Sequence, residues 1–170
     1  GFRHNEQSVR VVEKLENDGR GLNLTEEVID GILHHSGLGE STTESKTLEG
    51  RIVRYSDKIA YLNHDIDDSI RAGFLTEEAL PKEIIRVLGK SRSERIDTLV
   101  NDIIRETINN INDGKYGVAQ SKEVKEAMIE LRKFMFKNIY LGTHLKEERI
   151  KAKFVLEQLV NYYFKNSNEL

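Results

Sequence analysis

Residues 47–73 read TLEGRIVRYSDKIAYLNHDIDDSIRAG, and this stretch decides the fold. Its apolar residues recur every three or four positions, the spacing that places side chains on one face of an α-helix. The packing face predicted in this way comprises Ile52, Tyr55, Ile59, Leu62, Ile66 and Ile70. Gly73 is the residue type that commonly follows the last turn of a helix. The stretch therefore predicts one long helix from about Thr47 to Ala72.

The opposite face of this helix carries many charged and hydrogen-bonding side chains. At helical spacing, an arc of about 120° holds Arg54, Asp57, Lys58, Tyr61, His64, Asp65 and Asp68. Asp57, Tyr61 and Asp65 form a straight row at i, i+4 and i+8. Such a face is either solvated, as charged helix faces usually are, or one wall of an active site. The spacing alone leaves both interpretations open.

Helical spacing continues along the rest of the chain, and a single proline permits long helices. Helices are predicted over residues 5–16, 26–36, 91–112, 121–140 and 145–164, with two short helical segments on either side of Pro81. Thr25 is placed to cap the second of these helices, and residues 37–46 have the composition of a loop. The helix 91–112 is predicted to bury Ile96, Leu99, Val100, Ile103, Ile104, Ile108 and Ile111. The predicted fold class is all-α.

Composition and charge restrict the classes of function. A net charge of −3 and a pI near 6.0 give no electrostatic reason for wrapping nucleic acid or binding an anionic membrane. Basic residues near the C-terminal end alternate with acidic ones, so nucleic-acid binding is a weak alternative. The absence of cysteine excludes disulfides and thiolate chemistry, and no apolar leader or spanning segment is visible. A cytoplasmic protein without a membrane partner is expected.

Three motifs follow one another in the first half of the sequence. They are GFRHNEQSVRVVEKLE at 1–16, GLNLTEEVIDGILHHSG at 21–37 and the stretch at 47–73. Together they resemble the bacterial deoxyguanosine triphosphate triphosphohydrolase family and its dNTPase-like relatives, in the HD-domain superfamily. The resemblance implies that residues 1–80 form the C-terminal half of an HD-type phosphohydrolase core and that residues 81–170 form a helical subdomain.

The same resemblance implies a metal-dependent hydrolase that converts a deoxynucleoside triphosphate to the deoxynucleoside and triphosphate. Asp57 matches the last of the family's metal ligands, and a carboxylate suits a divalent cation such as Mg²⁺ or Mn²⁺. Lys58 matches a position that meets the triphosphate, Tyr61 one that packs against the sugar, and Asp65 one that accepts a hydrogen bond from the 3′-hydroxyl. His4 matches a histidine that acts beside the α-phosphate in some relatives.

The sequence also departs from the family pattern. The first metal-binding histidine and the His-Asp pair of the superfamily are absent, since His64-Asp65 lies in a different motif. The chain is therefore expected to be the C-terminal part of a longer enzyme and to be inactive alone. The resemblance also implies a homo-oligomer. The alternative is a non-catalytic all-α module that binds a nucleotide or a protein. His34 and His35 receive no role, because a histidine at a helix end commonly interacts with the helix dipole.

Overall fold

The computed structural model describes residues 2–36, 43–142 and 145–169. Its main helices are α1 (His4–Arg10), α2 (Glu26–His34), α3 (Leu48–Arg71), α4 (Lys82–Leu88), α5 (Arg92–Asn112), α6 (Lys122–Met135) and α7 (Lys146–Lys165). The π-helical segments Val11–Leu15 and Phe136–Tyr140 continue α1 and α6. No strand occurs within the described residues, so the prediction of an all-α fold is confirmed.

The chain turns sharply after the first helical segment, as the sequence NDGRG predicts. Asn17 and Asp18 both have positive φ angles, near 56° and 55°. Gly21, with φ of 72°, lies against the preceding segment, where an added Cβ would be 2.1 Å from the carbonyl oxygen of Glu13. Only glycine fits this position, because a side chain would require both a clash and a strained backbone.

The start of α3 is held by hydrogen bonds from two directions. Asp30 of α2 accepts from the Ser45 hydroxyl at 2.6 Å and from the backbone N–H of Lys46 at 2.8 Å. These two bonds lower the pKa of Asp30. The Thr47 hydroxyl then accepts from the backbone N–H of Gly50 at 3.1 Å, which caps the first turn of α3. The predicted start of the central helix is confirmed.

Two other predictions for this region have different outcomes. Thr25 occupies the N-cap position of α2, as predicted, although its side chain accepts no hydrogen bond from a helix N–H. Most of the predicted loop, residues 37–42, lies outside the described residues.

One hydrophobic core joins the second half of α3 to α4, α5 and α6. Leu62 and Ile66 of α3 are fully buried, and Leu88, Leu131 and Met135 meet them from the other helices. The core therefore contains residues from both sides of the predicted domain boundary at 80/81. This packing fixes the rotation of α3, and with it the direction in which the polar face points.

Some predicted core positions are wrong. Leu99 of α5 is buried, but Val100, Ile104, Ile108 and Ile111 of the same stripe are exposed by about two-fifths or more. Ile52, assigned to the packing face of α3, is also exposed, whereas Arg54 of the charged face is buried. A periodic pattern shows which face of a helix is apolar but not whether another element covers it. None of the described helices is long and apolar enough to cross a membrane.

Candidate functional site

The polar face of α3 divides into two sides that meet different helices. Asp57 points toward α1 and α2, whereas Lys58, Tyr61 and Asp65 are associated with groups of α6 and its extension. This division follows from helical geometry, because Asp57 and Lys58 are adjacent in sequence and therefore lie about 100° apart around the helix. The four residues predicted on α3 are thus divided between two neighbouring surfaces, with Asp57 on one and Lys58, Tyr61 and Asp65 on the other.

Asp57 lines a cavity of about 730 Å³ between α1, α2 and α3. The walls are largely apolar, with Val28, Ile32 and Val53 among them, and His35 lies on the same cavity. A mostly apolar cleft with a few titratable groups is typical of small-molecule sites. Asp57 itself is exposed, so its carboxylate is accessible to a ligand.

His4 lies at the first position of α1 and is exposed. Its ring contacts that of His35 edge to face, with 5.3 Å between ring centroids. The Nδ1 atom of His35 lies 2.6 Å from the carbonyl oxygen of Ile32, so this nitrogen donates and the other ring nitrogen is left as the acceptor in the neutral ring. His35, to which the sequence assigned no role, is therefore part of the cavity that Asp57 lines.

The carboxylate of Asp65 interacts with two tyrosine hydroxyl groups beside α6. It accepts hydrogen bonds from the hydroxyls of Tyr140 and Tyr61. The rings of Tyr61 and Tyr140 are stacked, with centroids 6.4 Å apart and an angle of 28° between their planes. Phe136 contacts Tyr140 edge to face at 5.0 Å, so three aromatic rings form a continuous surface beside the carboxylate.

Burial changes the protonation of this cluster. The pKa of Asp65 is raised, chiefly because partial burial disfavours its charged form, although the hydrogen bond from Tyr61 acts in the opposite direction. Burial also raises the pKa of Tyr61, and the nearby charge of Asp65 adds to that effect. Both groups thus bind their protons more tightly than they would in water, which favours neutral hydrogen-bonding partners.

The pKa of Lys58 shifts in the opposite direction. Its pKa is lowered, first by burial and then by the positive charges of Arg54 and Lys125. Its Nζ atom lies 5.3 Å from the centroid of the Tyr55 ring, a distance at which a cation is attracted to an aromatic face. A half-buried ammonium group among other cations is destabilised, and a bound anion would relieve this repulsion.

Two residues near the predicted site, Arg132 of α6 and Tyr140 of its extension, were not predicted from the sequence. Tyr140 is 75 positions away from Asp65 in sequence, and no short motif connects them. Arg132 lies over the ring of Phe136, 5.1 Å from its centroid, and its charge acts on Tyr61. The aromatic and basic composition of residues 132–140 was visible in the sequence, but only the fold shows that it faces α3.

The described residues alone do not form a metal site. Within residues 2–36, 43–142 and 145–169, no group of three or more His, Asp or Glu side chains is arranged to hold a metal ion. Protein sites for divalent metals usually require at least three ligands from the protein. Asp57 is therefore suited to supply one ligand but not to bind the ion by itself.

Comparison with known proteins agrees with the motifs. Residues 118–170 match the model of the phosphohydrolase-associated domain. Along all of its length, the chain is 59% identical to a deoxyguanosinetriphosphate triphosphohydrolase-like protein of Clostridium perfringens (strain 13 / Type A), of which it covers 50%. Proteins of the same name from Clostridium tetani and Caldanaerobacter subterraneus subsp. tengcongensis are 59% and 52% identical, with 49% and 48% of their lengths covered.

The chain is similar throughout to deoxyguanosinetriphosphate triphosphohydrolase-like proteins. The resemblance predicted from the three motifs is thereby confirmed, and it extends beyond them into the helical second half. The chain spans about half the length of the curated relatives it matches. The triphosphohydrolase-like relatives are thus informative about the residues of this half, to which Asp57, Lys58, Tyr61 and Asp65 belong.

Proposed function

We propose that the chain forms the substrate-binding part of a deoxynucleoside triphosphate triphosphohydrolase, which converts a dNTP and water to the deoxynucleoside and triphosphate. The observation that carries this proposal is the arrangement of the polar face of α3. Asp57 lines the cavity beside α2, while Tyr61 and Asp65, one and two turns further along the helix, form the aromatic and carboxylate surface beside α6. The names of the relatives support the same reaction.

Each side chain suits one part of a deoxynucleotide. Lys58 offsets the negative charge of the phosphates, since it is a cation held partly out of water. The ring of Tyr61 packs on the deoxyribose, where an additional 2′-hydroxyl would clash. Asp65 accepts a hydrogen bond from the 3′-hydroxyl, which would take the place of one of the two tyrosine hydroxyls that it now accepts from.

The chemical step involves the cavity side of α3. Asp57 would contribute one oxygen ligand to a divalent cation, and the cation, when bound, would supply polarisation of the phosphate and activation of water. His4, which is exposed at the start of α1, is proposed to exchange a proton near the α-phosphate. The remaining metal ligands are proposed to come from outside the described residues, because these residues contain no cluster of three or more ligands.

The proposal is tested with the longest protein that the gene encodes, by measuring triphosphate release from dGTP with Mn²⁺ or Mg²⁺. Asp57→Ala should abolish metal-dependent turnover, and Asp65→Ala should raise KM more than it weakens metal binding. Asp68→Ala is the matched control, since this exposed carboxylate of the same helix interacts with Arg71 at 3.7 Å. Full activity of Asp57→Ala would show that the metal assignment is wrong.

A second candidate is a non-catalytic module that binds a nucleotide or a protein. The described residues contain no group of three or more side chains arranged to hold a metal ion, which supports this candidate, because a binding surface formed by Lys58, Tyr61 and Asp65 requires no metal cluster. The two candidates differ in one measurement. Binding of dGTP without any turnover in the full-length protein would favour the module, whereas turnover that disappears with Asp57→Ala would favour the hydrolase.

A further inference from the structure

The two adjacent histidines at the end of α2 have different environments. The Nδ1 atom of His34 lies 2.9 Å from the carbonyl oxygen of Asp30 and 3.1 Å from its carboxylate. The Nδ1 atom of His35 lies 2.6 Å from the carbonyl oxygen of Ile32. Consecutive residues of a helical turn point about 100° apart. His34 therefore faces Asp30, which holds the start of α3, whereas His35 faces α1.

The first turn of α1 is attached to the last turn of α2. The side-chain amide of Asn5 donates a hydrogen bond to the carbonyl oxygen of Leu33 at 2.8 Å. Within α1, the hydroxyl of Ser8 donates to the carbonyl oxygen of His4 at 2.9 Å. These bonds hold the backbone of His4 next to the end of α2, although its side chain is exposed.

The imidazole of His4 has one partner within the described residues. Its ring lies edge to face with that of His35, with 5.3 Å between the ring centroids and 72° between the ring planes. In the part of the chain that the structure describes, this ring makes no hydrogen bond or ion pair. An exposed side chain without such a bond exchanges among its rotamers. The contact with His35 is therefore the interaction that favours one orientation of the His4 ring.

The ring of His35 joins His4 to the cavity that Asp57 lines. His35 and Asp57 both belong to the cavity wall, as does Ser8 of α1, whereas His4 is not among the described residues that line it. Since His35 contacts His4 and also lines the cavity, it holds the His4 ring at the cavity edge. A group that exchanges a proton requires a fixed position, because it must come within hydrogen-bonding distance of the reacting atom.

We propose that His35 is a positioning residue for His4 in the triphosphohydrolase reaction. This role rests on the proposed function, in which His4 exchanges a proton near the α-phosphate. His35 acts through the contact between the two rings, which restricts the His4 imidazole to one orientation at the cavity edge. The hydrogen bond from Nδ1 to Ile32 fixes the His35 ring itself. Holding a reacting group in place before the reaction lowers the entropic part of the barrier.

Two replacements of His35 separate its ring contact from its hydrogen bond. His35→Phe keeps an aromatic ring beside His4 but cannot donate to the carbonyl oxygen of Ile32, whereas His35→Gln keeps a donor and removes the ring. Turnover of dGTP by the full-length protein with Mn²⁺ is the measurement. We expect His35→Gln to lower kcat about tenfold, since a small misplacement of a catalytic group is costly. His35→Phe should retain most of the original kcat.

Two other results with these variants would each overturn the proposal. Retention of kcat in His35→Gln with loss in His35→Phe would show that His35 only stabilises the end of α2. Loss in both variants would show that the imidazole of His35 acts as an acid or base itself. Circular dichroism of each variant checks that the helices are retained.

The KM provides a readout that a purely structural role would not give. Lys58, Tyr61 and Asp65 are associated with the α6 side of α3, so the KM of His35→Gln should change by less than about twofold while kcat falls. A raised KM with unchanged kcat would contradict the positioning role. His34→Gln is the matched control, because His34 also bonds to a backbone carbonyl oxygen but its ring makes no contact with that of His4. This control should keep the original kcat and KM.

His4→Gln distinguishes an error in the positioning role from an error in the proposed function. If His4→Gln lowers kcat and His35→Gln does not, His4 works without His35, so the positioning role is wrong while the proposed function stands. If His4→Gln retains the original kcat, the role of His4 in the proposed function is wrong and the positioning role falls with it.

NMR of the 170-residue chain tests the ring contact without turnover. We expect nuclear Overhauser effects between the rings of His4 and His35, and scalar couplings that report a single χ1 rotamer of His4. His35→Gln should average this rotamer, whereas His35→Phe should preserve it. An averaged His4 rotamer in the original chain would overturn the proposal.

Discussion

Arg95 donates a hydrogen bond to Asn63 across the contact between α5 and α3, with 3.0 Å between Nε and Oδ1. The guanidinium is almost completely buried and donates a second bond to the carbonyl oxygen of Lys90 at 2.6 Å. Its third side faces the carboxylate of Asp67 at 3.7 Å. Because Asn63 lies between Tyr61 and Asp65 on α3, this contact fixes the helix that carries the candidate site.

Replacement of Arg95 by alanine should destabilise the fold strongly. The Oδ1 atom of Asn63 and the carbonyl oxygen of Lys90 would lose their donor, and a buried polar group left unpaired costs about 1–3 kcal/mol. Asp67 would lose one cation but keep its ion pair with Arg92 at 3.1 Å. Urea unfolding followed by circular dichroism measures the change. Arg86→Ala is the control, since its ion pair with Glu123 is exposed and worth less than about 1 kcal/mol. Equal losses in the two variants would contradict the structural role of Arg95.

Glycines of α2 and α3 should respond to alanine in opposite directions. An added Cβ at Gly50 would lie 2.1 Å from the hydroxyl oxygen of Ser45, which holds the start of α3, whereas one at Gly31 would meet only the Cα of Gly50 at 3.8 Å. Overpacking costs about 1–3 kcal/mol, while alanine stabilises an unobstructed helix position by about 0.5–1 kcal/mol. We expect Gly50→Ala to lower the thermal midpoint and Gly31→Ala to raise it. A rise in both variants would show that Ser45 moves away without cost.

The pattern of residues 47–73 was sufficient to predict α3 and the row of Asp57, Tyr61 and Asp65, because both depend only on local spacing. The environment of that row was not predictable in the same way. Tyr140 reaches Asp65 through a fold that brings together residues 75 positions apart. Sequence periodicity identifies the apolar face of a helix but not the element that covers this face. For this reason Ile104 and Ile108 were wrongly predicted to be buried.

The carboxyl group of Asp65 should titrate above its ordinary range. Burial raises its pKa relative to the value of about 3.9 in an unfolded chain. A raised pKa means that the folded state binds the proton more tightly, so the stability contributed by this group is complete below the unfolded pKa and is lost as pH rises through the folded pKa. The carboxyl carbon shift of Asp65 in an NMR titration measures this directly. A midpoint at or below that of unfolded aspartate would contradict it.

Replacement of Tyr61 by phenylalanine should raise the titration midpoint of Asp65 further. The hydrogen bond from Tyr61 lowers the pKa of Asp65, so Tyr61→Phe should raise the midpoint above that of the original chain. The variant Asp65→Asn should remove the associated pH dependence of the unfolding free energy. An unchanged midpoint in Tyr61→Phe would mean that Tyr140 alone supplies the hydrogen bond to Asp65 in solution.

Binding of inorganic triphosphate should depend on the protonation of Lys58. Its pKa is lowered by burial and by Arg54, so its charge is lost at a lower pH than the value of about 10.4 for an ordinary lysine. Below the lowered pKa the ammonium attracts the anion, and above it this attraction disappears. Affinity measured by calorimetry should therefore decline as pH rises through that pKa. Bound anion also favours the protonated form, so binding should take up protons from the buffer.

The variant Lys58→Gln should bind triphosphate more weakly and lose the part of the pH dependence that belongs to Lys58. Protonation of triphosphate itself is common to the original chain and the variant, so the difference between their affinities isolates the lysine. Lys133→Gln is the matched control, because Lys133 is an exposed cation of α6 that pairs with Glu130 at 2.6 Å. Identical pH profiles for the original chain and Lys58→Gln would show that the phosphates bind elsewhere, and the substrate orientation proposed along α3 would then be wrong.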